Sequence, residues 1–254
     1  MGERMLGRKA RIWGGGTGLG YACAEAFVGE GAAVFLAGRR PDPLRAACGA
    51  FGGAGRAGFA PGDITVEADV ARVTQAAADF LGGLDILVLS SGTSSKGSIF
   101  DAKVADVRHV LETNVTSVFL ATHHAAPLLV ASGDGSVIAI ASVTGVAGMR
   151  ERVAYCASKA AVIGMVRAMA LDFADKGVRV NAISPSLVLT DLARTMIGRE
   201  KDPEAILASR RSQHPMGRLG EPDDIGRTAV YLASRDSAWM TGQNLVVDGG
   251  FTVI

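Results

Sequence analysis

The feature that most constrains this chain is an alternation of short apolar runs of strand length with longer stretches of helical spacing. Lys9–Trp13, Ala33–Ala37, Ala57–Ala60, Ile86–Leu89, Gly135–Ala141, Val178–Ile183 and Leu245–Val247 read as strands. Residues 21–30, 41–51, 67–81, 101–131, 155–175 and 222–233 read as helices. Runs that are apolar throughout, rather than at every second position, belong to strands covered on both faces. A helix between consecutive strands leaves room for parallel pairing and carries the chain back across the sheet. The expected fold class is therefore α/β, a doubly wound parallel sheet with helices on both faces. Residues 52–58 read as a flexible glycine-rich connection. Pro185–Gly220 mixes charged and apolar residues without a clear period, so 185–220 is expected to be an irregular lid over the strand ends.

A length of 254 residues suits one undivided domain, 1–254, and 48% apolar with 20% charged residues describes an ordinary globular core. A net charge of +1, with acids and bases interspersed, gives no basic face for nucleic acid. The most apolar stretch, Val115 to Ala131, is interrupted by His123, His124 and Pro127, so no membrane span is expected. Arg11-Ile12-Trp13 before the glycine cluster is too short for a signal peptide, which points to a cytoplasmic protein. Cys23, Cys48 and Cys156 are too scattered for a disulfide framework, and no Cys/His spacing suggests a metal site.

The first strand stops at Gly14-Gly15-Gly16-Thr17-Gly18-Leu19-Gly20 and a helix follows. A strand, glycine turn and helix in that order present free backbone N–H groups and a helix N-terminus to a phosphate. The second strand closes a βαβ unit and ends in Gly38-Arg39-Arg40, where a carboxylate would grip the adenosine ribose of NAD. A guanidinium there suits the 2′-phosphate instead, so NADP is expected over NAD. Ser90-Ser91-Gly92 ends the fourth strand with side chains small enough for a cofactor to approach the backbone.

Tyr155 and Lys159 are four residues apart on a predicted helix and project from one face. A tyrosine, with a reference pKa of about 10, needs a drop of roughly 3 units, or roughly 4 kcal/mol, to work near neutrality. One positive charge about 4 Å away at an effective dielectric near 20 supplies roughly that much. Lys159 is expected to provide it, before any cost of burial is counted.

Taken in order, Gly14, Gly18 and Gly20, then Asp63, Asn114, Ser142, Tyr155, Lys159, Pro185 and Thr190 resemble the short-chain dehydrogenase/reductase family, in particular its 3-oxoacyl-ACP-reductase-like members. The resemblance covers nearly the whole chain and includes the 13-residue step from Ser142 to Tyr155. It implies a single Rossmann-type sheet of seven strands, a nicotinamide cofactor, and interconversion of an alcohol with a ketone or aldehyde. By the same resemblance Tyr155 is the general acid/base, and Ser142 orients the reacting oxygen. Lys159 tunes the tyrosine and holds the nicotinamide ribose, and Asn114 fixes a water that relays protons. Gly14, Gly16, Thr17, Gly18, Leu19 and Gly20 would cradle the cofactor. Asp63 and Ile64 would lie at its adenine, with Ser90, Ser91 and Gly92 alongside and Pro185, Val188 and Thr190 at the nicotinamide. Three positions depart from the family's habit: Trp13 for threonine, Ser90-Ser91-Gly92 for Asn-Ala-Gly, and Ser186 for the glycine after Pro185.

Substrate contacts are expected from Ser94, Ser142, Thr144, Met149, Tyr155, Leu187 and Met196, a mostly apolar set suited to a modest-sized carbonyl compound. Arg210 and Arg211 would meet an anionic carrier or simply be solvated. The alternatives are an NAD-linked sugar or cyclic-alcohol dehydrogenase and, in a different class, a catalytically silent dinucleotide-sensing protein. Enoyl reduction fits less well, because related enoyl reductases usually space the tyrosine and lysine more widely. His123 and His124 read as packing or interface residues on a long helix that pairs in related folds, so a homo-oligomer, a tetramer or a dimer, is expected.

Overall fold

A computed structural model describes residues 3–53 and 55–253. The strands are β1 (Lys9–Trp13), β2 (Ala33–Gly38), β3 (Ala57–Pro61), β4 (Ile86–Leu89), β5 (Gly135–Ile140), β6 (Val178–Pro185) and β7 (Asn244–Val247). They form one seven-stranded sheet in the order β3-β2-β1-β4-β5-β6-β7, with every pair parallel. The order reverses between β1 and β4, and a crevice opens there beyond the carboxyl ends of the strands. Of the connection read over 52–58, Ala54 lies outside the described residues.

Helices cover both faces. On one side α1 (Gly18–Gly29), α2 (Pro41–Ala50) and α9 (Pro222–Ala233) bury Cys23, Phe27, Leu44 and Ile225 against Ala10, Ile12, Val34, Leu36 and Ile138. On the other, α3 (Glu67–Leu81), α5 (Ser117–Ser132) and α6 (Val153–Asp172) pack Val73, Ala121 and Val166 against Trp13, Phe35, Leu87, Leu89 and Val137. Successive strand residues thus alternate between two dry layers, which is why the strands are apolar without a gap.

The helix read over 101–131 begins later, as α4 (Val104–Leu111), and joins α5 through a π-helical turn, Glu112–Thr116, that carries Asn114. Pro185–Gly220 is not irregular. It holds α7 (Asp191–Gly198), capped by Thr190 Oγ1 accepting from Ala193 N, and α8 (Pro203–Ser212), capped by Asp202 Oδ1 accepting from Ala205 N. Neither helix buries a residue, and on α7 the apolar side chains of Leu192 and Met196 are exposed.

Candidate active site

The crevice is lined by the segments that follow β1 to β6. After β1 the chain turns at Gly14, held by its N–H donating to the Ala37 carbonyl (2.8 Å), and enters α1 at Gly18. A Cβ added to Gly20 would sit 2.3 Å from the Gly14 carbonyl oxygen, so only glycine lets the helix start so close under the turn. Gly18 has φ +60°, and a Cβ there would meet only Thr190, 3.7 Å away across the crevice. The N-cap of α1, Thr17, makes no capping bond, so the helix N-terminus offers its N–H groups outward. This is the cradle a dinucleotide phosphate requires, and Gly14, Gly16, Thr17, Gly18, Leu19 and Gly20 lie in it.

Beyond β2, Arg39 and Arg40 are exposed, and among the described residues neither is paired with an acid. Asp63 accepts from Thr65 N and Thr65 Oγ1 at 2.9 and 2.8 Å, which fixes the turn after β3. The Ile64 side chain is buried in the core, so only its backbone can face a ligand, which narrows the expectation for it. Gly14 packs on Ser90 and Ser91 at the end of β4. A Cβ on Gly92 would lie 3.3 Å from Asn114 Oδ1 and 3.7 Å from Lys159 Nζ, which brings that loop together with two of the expected catalytic residues.

Asn114 is almost fully buried, and its amide is spent on protein. Nδ2 donates to the Thr93 carbonyl (2.8 Å) and to Ser158 Oγ (3.0 Å), while Oδ1 accepts from Thr93 N (2.8 Å). With both amide hydrogens committed, the side chain is a clamp between the loop after β4 and helix α6. Any water it holds must be reached through its backbone or its remaining lone pair.

Ser142 follows β5 and is fixed as a donor. Its Oγ accepts from Thr144 N (3.2 Å) and from Thr144 Oγ1 (3.0 Å), so its own proton is free to point elsewhere. Thr144, expected to line the substrate site, is buried and uses its hydroxyl on Ser142 instead, and the sequence carries no sign of that second role. Ser94, Met149 and Met196 are exposed; Leu187 is half-buried beside Pro185, Val188 and Thr190 at the end of β6.

Tyr155 and Lys159 lie one turn apart on α6, with Lys159 Nζ 5.7 Å from the phenol ring centroid. The electrostatics differ from the expectation. Burial raises the Tyr155 pKa; the Ser142 hydroxyl opposes the rise, Cys156 adds to it, and Arg152 opposes it. Lys159 is itself buried, which pushes its pKa down to about 8, and its ammonium donates to the Ile140 carbonyl at 2.8 Å. Burial is the largest influence on both groups and acts against their charged forms, a cost that the attraction between them leaves out. At neutral pH the phenol keeps its proton, so the site is set as an acid. A donating Ser142 and a protonated Tyr155 side by side can polarise and protonate one carbonyl oxygen.

A family model described as Enoyl-(Acyl carrier protein) reductase matches residues 14–252. The chain is 36% identical to 2-(S)-hydroxypropyl-CoM dehydrogenase 3 of Xanthobacter autotrophicus, over 100% of both chains. It is also 36% identical to 2,5-dichloro-2,5-cyclohexadiene-1,4-diol dehydrogenase LinX of Sphingobium indicum, over 100% of this chain and 99% of that one. A crystal structure of a short-chain dehydrogenase/reductase from Burkholderia xenovorans superposes with a TM-score of 0.93 at 32% identity, covering 99% of each chain. Likeness that runs from the glycine turn to the last residues, in sequence and in fold alike, makes this chain a member of the short-chain dehydrogenase/reductase family of oxidoreductases, which use a nicotinamide dinucleotide.

Proposed function

We propose that the protein is a cytoplasmic NADP(H)-dependent oxidoreductase that interconverts a ketone or aldehyde with a secondary or primary alcohol. The observation that carries this reading is Ser142, its oxygen filled by two bonds from Thr144 and its proton left to donate beside Tyr155. The bound nicotinamide dinucleotide supplies or takes up the hydride. Tyr155 gives its proton to the substrate oxygen in reduction and removes one in oxidation, while Ser142 holds that oxygen. Lys159 carries the positive charge at the base of the pair, and Asn114 keeps α6 in register with the loop after β4. Ser94, Met149, Leu187 and Met196 form the rim that receives the rest of the substrate.

The preference for NADP rests on Arg39 and Arg40, which stand exposed at the end of β2 with no acid among the described residues to neutralise them. The same reading makes the protein a homo-oligomer, a tetramer or a dimer. The helical stretch Val104–Ser132 and helix α6 each contain an 18-residue window of mean hydropathy 1.3, of which only 33% and 39% is buried. Phe119, Leu111 and Val104 remain exposed on the first. A second copy packed on these helices would cover them.

A second reading, an NAD-linked cyclic-alcohol dehydrogenase, is favoured by the likeness to a cyclohexadiene-diol dehydrogenase. A parallel NADH and NADPH assay over acetoacetyl esters, cyclic ketones, quinones and sugars separates the two. Tyr155→Phe should retain cofactor binding and lose about 10²–10⁴-fold in turnover; unchanged turnover would refute the role given to the phenol. Arg39→Asp should shift preference toward NAD, and an unaltered preference would defeat the NADP reading. Cofactor binding with no turnover across the whole panel would favour the dinucleotide-sensing alternative.

A further inference from the structure

The segment bearing α7 and α8 leaves the sheet at Ser186 and returns at His214, and these two residues touch: Ser186 Oγ is 2.9 Å from His214 Nε2. The imidazole is buried, with its Nδ1 2.7 Å from the Arg210 carbonyl at the end of α8. A carbonyl can only accept, so Nδ1 carries the proton. In the neutral ring Nε2 is then bare and accepts the Ser186 hydroxyl proton. The ring is further fixed against Phe251, 5.3 Å between centroids, and Met216 N donates to the Gly249 carbonyl just beyond it. Below this contact the two returning chains are laced by Leu189 N to the Gly220 carbonyl and Gly220 N to the Leu187 carbonyl.

We propose that His214 is a positioning residue for the cofactor-side loop, clasping Ser186 so that the α7–α8 cover and the segment 186–190 move as one piece. This rests on the dinucleotide reading above, since that segment carries Thr190 to the glycine turn at Gly18. The contact is peculiar to a chain with a side chain after Pro185. Where the family has glycine, the imidazole would have no hydroxyl to hold. Both helices of the cover bury nothing of their own, so its ends are the main restraint on where it sits. With the clasp intact, closure of the cover over a substrate pulls the loop against the cofactor. With the clasp removed, the loop and the cover are ordered separately, and the cofactor bears that cost on binding.

Two measurements on the full chain test this. In the first, trypsin is applied without any cofactor, reading cleavage after the exposed Arg199, Lys201, Arg210 and Arg211. Ser186→Ala and His214→Phe should each be cut several-fold faster there, the double variant no faster than either, and Ser186→Thr, which keeps the hydroxyl, at the wild-type rate. In the second, the KM for the preferred dinucleotide should rise about 5–20-fold in Ser186→Ala and His214→Phe with kcat nearly unchanged, a gain of order that expected for one lost charge-free hydrogen bond and its ordering. Ser186→Gly, which supplies the family's usual residue, guards against a result caused by misfolding. Unchanged cleavage in Ser186→Ala, or effects of the two substitutions that multiply, would overturn the clasp. A wild-type protein that binds neither dinucleotide would instead overturn the cofactor reading, while the cleavage result would still stand on its own.

Discussion

Replacing Lys159 by methionine should make the protein more stable at neutral pH while abolishing turnover. The lysine is fully enclosed and its pKa is lowered from 10.5 to about 8 by burial. At about 1.4 kcal/mol per unit, a drop of about 2.5 units corresponds to roughly 3.5 kcal/mol of cost to the folded state. The cost is fully present below pH 8, where both the folded and the unfolded chain carry the charge. It fades as the pH rises to 10.5, because over that range the unfolded chain alone stays protonated and stability climbs with pH. Methionine has similar length and no charge. It forfeits the bond from Lys159 Nζ to the Ile140 carbonyl, about 1.5–3 kcal/mol for a charged donor. The expected difference at pH 7 is a gain of roughly 0.5–2 kcal/mol for Lys159→Met, read from urea midpoints at constant slope. Repeating the titration toward pH 10 should erase the gain and then reverse it. A variant that is less stable at pH 7, or a gap that does not change with pH, would refute the claim that this ammonium is held against a desolvation cost.

Three further outcomes follow from the same geometry. Arg11, buried in β1 with its pKa pushed down to about 9 by burial, donates to Thr74 Oγ1 and to the Ala121 carbonyl but meets no carboxylate among the described residues. Arg11→Met should be neutral or stabilising by about 1–3 kcal/mol, and Thr74→Val should cost about 1–3 kcal/mol in the wild type but almost nothing beside Arg11→Met; additive effects in urea unfolding would contradict this. Gly20→Ala should cost about 2 kcal/mol or more and weaken dinucleotide binding, because its Cβ would lie 2.3 Å from backbone, whereas Gly49→Ala, with open space around it in α2, should gain about 0.5–1 kcal/mol in thermal unfolding. Because burial raises the Tyr155 pKa, the phenol is protonated through neutral pH, so kcat/KM for alcohol oxidation should rise steadily with pH while carbonyl reduction persists at neutrality; an oxidation rate already level at pH 7 would show a phenol ionised too early for this environment.

The parts of the fold that the sequence shows most plainly are those where burial leaves least choice. β1 and β4 have the bounds read from their apolar runs, because every residue of a doubly covered central strand must be compatible with a dry layer. The order of Gly14, Asn114, Ser142, Tyr155 and Lys159 is legible in the sequence; in the fold Gly14 and Ser142 follow β1 and β5, Asn114 sits on the π-helical turn, and Tyr155 and Lys159 lie on α6. The cover helices α7 and α8 are less plain, eight and ten residues long and burying no side chain. Their start signals were nevertheless present in Thr190-Asp191 and in Asp202-Pro203-Glu204, where a capping oxygen precedes proline or an acid. The rise in the Tyr155 pKa comes from burial, and neither that burial nor the Ile140 carbonyl that engages Lys159 has any local signature. The pairing of Ser186 with His214 spans 28 residues and leaves no pattern at all.

Trp13 shows how one such departure acquires a reason. Its side chain is fully buried in the layer under α3, α5 and α6. Arg11 and Trp13 are two residues apart on a strand and therefore share that face. The Arg11 guanidinium carbon lies 5.9 Å from the indole centroid. A cation buried without a carboxylate needs whatever compensation the core can offer, and the face of a tryptophan supplies about 0.5–2 kcal/mol where threonine would supply none. Arg11 and Trp13 thus act as a pair in the layer behind the glycine turn, where the indole offsets part of the cost of burying the guanidinium.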